Sequence, residues 1–123
     1  MSRNNRGPFG PGPDVLLVDG RPAAPLTVAR TSSERRRGLL GSSRIEGALW
    51  ITRCPSVHMV GMTYPIDVAV LDQHGVVLRV ATLRPTWGAT WPRLRANATV
   101  EMAVGSCARW DIHVGSRLAI SPS

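Results

Sequence analysis

Ile66-Asp67-Val68-Ala69-Val70-Leu71-Asp72-Gln73-His74-Gly75-Val76-Val77-Leu78-Arg79-Val80-Ala81 is the stretch whose reading decides the fold class. Its first six residues are dense in β-branched side chains, which fit a pleated surface better than a helix. Asp72 and Gly75 stand at the first and fourth positions of a type I turn. Residues 76–81 then return as a second apolar run, so the pattern predicts an antiparallel hairpin. Asp67 interrupts the apolar strand directly after Pro65-Ile66, where an unpaired carboxylate is costly to bury, and it must find donors.

The same period extends outward. Residues 15–18 read as a strand ending at the turn pair Asp19-Gly20. Pro22 and Pro25 flank a linker into a second strand at 26–29. Residues 48–51 and 56–60 read as further strands. In Ala98-Thr99-Val100-Glu101-Met102-Ala103-Val104, alternation turns Ala98, Val100, Met102 and Val104 inward and Thr99 and Glu101 outward. A turn or helical turn carrying Trp110 follows Gly105, and residues 117–120 close the chain as a strand. One helix is predicted. Thr31-Ser32-Ser33-Glu34 matches a capping box, and the helix is expected to run through Leu40 and stop at Gly41. Many short strands and one short N-terminal helix predict a mainly β (α+β) domain, a small antiparallel barrel or a folded-over sheet, because such strands need closure or a second layer.

Composition sets the frame. The chain has 123 residues, 43% hydrophobic and 19% charged, the profile of one folded soluble domain. Residues 1–13 are rich in Pro and Gly, with almost no apolar anchor, and read as a disordered tail; residues 14–121 read as the domain. No apolar run approaches the roughly 20 residues of a membrane span. The basic N-terminal residues are followed by no apolar segment of a secretory signal, so the expected location is cytoplasmic. The net charge of +7 comes from 15 Arg and no Lys, a usage that GC-rich coding produces, and net charge alone speaks to solubility and nonspecific attraction.

Three candidate sites emerge. Cys54, His58, Met59 and Met62 include soft ligand types suited to copper or zinc. On an extended segment, however, Cys54 and His58 lie roughly 13 Å apart at about 3.3 Å per residue, too far to share an ion unless the strand is broken after Pro55, and Met59 turns into the core. Cys54 and Cys107 read as free buried thiols rather than nucleophiles, since neither has an evident base and a pKa-lowering environment. Arg84, Trp87, Trp91, Arg93 and Arg95 crowd one loop, 84–95, as in single-strand nucleic-acid binders, without a recognisable RNA-binding signature. The favoured reading is a noncatalytic binding or accessory module. Its cleft lies between the helix and the central strand, with His58, Asp67 and Arg37 as ligand-binding residues, an unknown small molecule or protein as partner, and no metal, cofactor or catalytic set.

The order of motifs over about residues 26–120 resembles that of the domain of unknown function family 192. The likeness is carried by residues 31–40, by Val57-His58-Met59 through Asp72, by Gly75-Val76-Val77, and by Val100-Glu101-Met102 with Gly105. The match keeps Met59, Pro65, Asp67, Glu101 and Gly38-Leu39. It departs at His58, where an aromatic is usual, at Val60-Gly61-Met62, where Lys-Asn-Thr is common, and at Gly115-Ser116 in place of Gly-Asp. The resemblance implies a β-rich domain with one short helix, and it brings no established reaction, cofactor or substrate.

Overall fold

The structure, a computed structural model, describes residues 7–85, 88–90 and 95–123. The hairpin predicted over residues 66–81 is present. Strand β6, Ile66–Leu71, pairs antiparallel with β7, Val77–Leu83. Between them the Gly75 amide bonds to the Asp72 carbonyl at 3.1 Å, while the Asp72 carboxylate accepts from the amides of His74 and Val76. A second hairpin joins β2, Asp14–Val18, to β3, Arg21–Ala29. Asp19 and Gly20 both take positive φ, 49° and 81°, as a type I′ turn requires to match strand twist. Pro22 and Pro25 therefore lie within β3 rather than in a linker.

The remaining strands are β4 (Ser42–Ile45), β5 (Ala48–Ile51), β8 (Ala98–Ala103) and β9 (Leu118–Ser121). Seven strands form one sheet in the order β7-β6-β8-β5-β3-β2-β9, antiparallel throughout except for β3 and β5. The sheet curls until its two edge strands meet at one end, where Val76 bridges Arg117 and the Leu118 amide bonds to the Gly75 carbonyl at 2.8 Å. The result is a half-barrel, mainly β, with two short helices, α1 (Ser32–Arg37) and α2 (Ser106–Arg109). Residues 7–13 lie within the segment expected to be a disordered tail. Of these, Gly7–Phe9 form a short strand, β1, parallel to β4.

Each central strand has two covered faces. One face of the curled sheet buries Leu16, Leu26, Ala69, Leu71, Val100 and Met102 in the barrel interior. The other buries Leu49, Ile51, Ile66 and Val68 beneath Leu39, Ile45, Val57 and Met59. This second layer corrects two expectations. Thr99 and Glu101 point away from the barrel interior, yet both are buried, and Val104, expected inside, is exposed. The segment read as a strand over 56–60 is reduced to an isolated bridge between His58 and Ala89, flanked by bonds from the Met59 amide to Gly88 and from the Thr90 amide to Val57. Its side chains still alternate, Val57 and Met59 inward and His58 and Val60 outward.

Candidate functional site

Local chemistry places α1. Thr31 accepts from the Glu34 amide, and the Glu34 carboxylate accepts from the Thr31 and Arg30 amides, which completes the capping box and holds that carboxyl below its ordinary pKa. The helix ends at Gly38, three residues short of the expected Gly41. Gly38 takes φ 47°, ψ −126°, and its amide closes the last turn onto the Glu34 carbonyl at 2.9 Å. A backbone in that conformation disfavours any side chain. The chain then drops Leu39 into the outer layer, leaving a six-residue helix with no buried residue of its own.

Beneath the end of α1 lies a cleft of about 120 Å³. Arg35, Arg36 and Arg37 line it from the helix, and Cys54, His58 and Met59 from the segment that follows β5. Ile51, Val57 and Leu39 supply apolar wall, and Glu101 of β8 lies at the base. Glu101 is only 5% exposed, and its side chain accepts no hydrogen bond and forms no ion pair among the described residues. A methyl group built on Gly38 would sit 4.0 Å from its Oε1. Its cross-strand neighbours on β5 and β6, Leu49 and Val68, are both apolar. Desolvation raises its pKa from 4.5 to about 7, because a low-dielectric setting penalises the charged form.

Arg37 and His58 are thus brought together on one concavity, and Asp67 is left out. Asp67 lies on the opposite face of the sheet, where its carboxylate accepts from the Thr82 hydroxyl at 2.7 Å and from the Gly105 and Cys107 amides at 3.0 and 3.2 Å. Those bonds pin the turn into α2, so the carboxyl of the cleft is Glu101. The alternation of β8 already carried Glu101. What a local pattern lacks is the information that its outward face is roofed by residues far away in the chain.

Both thiols are shifted away from the thiolate form. Burial raises the Cys54 pKa, and its Sγ bonds to the Ser56 carbonyl at 3.1 Å. Cys107 is pushed up to about 12 by burial and by the neighbouring Asp67 charge. No group of three His, Cys, Asp or Glu side chains is placed to hold a metal among the described residues. Arg84 and Arg95 of the basic loop are exposed, while Trp87, Trp91 and Arg93 lie outside the described residues. Among the described residues no helix is long and apolar enough to cross a membrane.

Comparison with known proteins bears on the whole domain. The family model of DUF192, described as an uncharacterized ACR, matches residues 15–120. No curated protein matches. A crystal structure of a protein of unknown function from Novosphingobium aromaticivorans is similar at 23% identity and TM-score 0.65, over 78% of this chain and 74% of that one. Another, from Sinorhizobium meliloti and described as a "putative transcription regulator", is similar at 17% identity and TM-score 0.72, over 87% of this chain and 92% of that one. At these identities the likenesses speak for the fold alone.

Proposed function

The chain belongs to the DUF192 family, and from that premise we propose that the cleft over Glu101 is a noncatalytic binding site for a small molecule. The observation that carries this reading is the carboxyl of Glu101, a residue only 5% exposed, which is left without a protein partner among the described residues in a concavity rimmed by arginines. A carboxyl that opens onto a concavity and meets no protein donor is the kind of convergent polar group that orients a ligand. Against a catalytic role stands the thiol chemistry. A nucleophilic Cys needs a lowered pKa, and both thiols here are shifted the other way.

The test is an NMR titration of the whole chain with a library of small polar fragments. Supporting fragments give saturable shifts at the amides of Gly38, Met59 and Glu101, and the Glu101→Gln variant weakens them. A library whose hits all map elsewhere, or that yields none, overturns the reading.

A further inference from the structure

We infer that the ligand of this cleft is two-ended: a cationic hydrogen-bond donor that meets Glu101, a short apolar body, and an anionic group held by Arg36 and Arg37. This rests on the reading of the cleft as a binding site and adds the chemical class of its occupant.

The inner end follows from Glu101. An ionised carboxyl accepts hydrogen bonds and donates none. Among the described residues no donor reaches it, and the flanking strands offer it Leu49, Ile51 and Val68. The titratable and charged groups that share its concavity are Arg35, Arg36 and Arg37 from α1, and Cys54 and His58 from the following segment. None of them forms an ion pair with it. The complement must therefore arrive from outside, and a cation supplies both the donors and the opposing charge.

The outer end follows from α1. Arg35 is engaged, with its guanidinium donating to the Arg30 carbonyl and to Ser32. Arg36 and Arg37 line the same cleft, and their guanidinium groups make no hydrogen bond or ion pair among the described residues. Guanidinium groups are forked donors matched to carboxylate or phosphate oxygens. Surface arginines alone specify nothing; here they stand at the mouth of a cleft whose base asks for the opposite charge. Leu39, Ile51 and Val57 between the two ends suit methylene groups. A volume of about 120 Å³ limits the occupant to a few heavy atoms inside.

The experiment compares three matched series against the full chain by the same amide shifts: straight-chain ω-amino acids of about two to six carbons, the corresponding n-alkylamines, and the corresponding carboxylates. At least one ω-amino acid is expected to saturate the Gly38, Met59 and Glu101 shifts at a concentration tenfold or more below its matched amine and carboxylate. Glu101→Gln should erase its advantage over the carboxylate, and a variant with Arg36→Ala and Arg37→Ala its advantage over the amine, with folding of each checked from its own spectrum. Because the amine must meet an ionised Glu101, affinity should also rise several-fold from pH 6 to pH 8, and Glu101→Gln should flatten that rise. Amines or carboxylates that bind as well as the ω-amino acids overturn the two-ended class and leave the cleft reading standing. The same holds if other fragments saturate the cleft while all three series fail. If nothing binds there, both inferences fall.

Discussion

Two buried carboxyls, on opposite faces of one sheet, show how the environment divides residue roles. Asp67 is surrounded by donors and works as a structural pin. Its replacement by Ala strands two backbone amides and is expected to cost about 3 kcal/mol, the scale of hydrogen bonds to a charged group; Asp67→Asn, which keeps one acceptor, should cost less. Urea unfolding of the two variants measures both. Glu101 is surrounded by apolar groups and works against the fold when charged. Because its folded pKa is raised from 4.5 to about 7, the folded state binds more protons than the unfolded chain across that window. Stability associated with this group is intact below pH 4.5 and is lost as pH climbs toward 7. At about 1.4 kcal/mol per pH unit the loss reaches roughly 3 kcal/mol above pH 7. Glu101→Gln should remove that slope and unfold at higher urea than the parent at pH 8, and equal pH profiles for the two proteins would show that Glu101 is solvated or paired.

At the scale of elements, α1 is the least secured part of the site. It buries none of its own residues, and a second cavity, lined by Phe9, Thr27 and Leu49 among others, lies on its other side and shares Arg37 and Gly38 with the cleft. Two local devices hold it, the capping box at Thr31 and the Leu39 anchor. Thr31→Ala is therefore expected to cost about 1 kcal/mol and to speed hydrogen exchange at the Arg35 and Gly38 amides, which close the first and last turns, while amides of β6 and β8 keep their protection. The capping box was legible because every atom it needs lies within four consecutive residues, and the β6–β7 hairpin because its turn and both strands are contiguous. The helix end was misplaced because Gly38 and Gly41 are equally permissive locally, and burial of Leu39 selects between them. Alternation gave the correct facing for Thr99 and Glu101 and the wrong exposure, since what covers them comes from elsewhere in the chain: the Cys54 carbonyl, which accepts from the Thr99 hydroxyl, and α1, Leu39 and Val57 around Glu101. Period two likewise survived at Val57 and Met59, although among the described residues the only bridge there is to Ala89, with Pro55 and Gly61 flanking so short a pairing. Of the residues read from sequence as a candidate site, Arg37 and His58 line one concavity, and Asp67 lies on the other face of the sheet.

For the whole molecule, the weak point of a half-barrel is its seam. An open curled sheet leaves two strand edges, and among the described residues β7 and β9 are stitched only near their starts, by the Val76–Arg117 bridge and by bonds linking Gly75 to Leu118 and Val77 to Ser116 and Gly115. Gly75 occupies the tightest point. It takes φ 82°, and a Cβ there would sit 2.3 Å from the Leu118 carbonyl oxygen, so a side chain must push β9 away from β7. Gly20 provides a control: φ is 81°, and a Cβ would meet nothing within 4 Å. Both Ala variants bear the same backbone penalty, about 1–2 kcal/mol for a side chain in the left-handed region. Gly75→Ala should lose a further 1–3 kcal/mol or so from seam hydrogen bonds, and it should raise exchange at the Leu118, Val77 and Gly115 amides, which Gly20→Ala leaves protected. Equal destabilisation of the two variants would mean that the edges are held by the shared core rather than by their own pairing. Greater loss at Gly75 makes closure of the barrel a direct contributor to stability, and it would explain how a sheet whose edges meet at one end supports a cleft on its outer face.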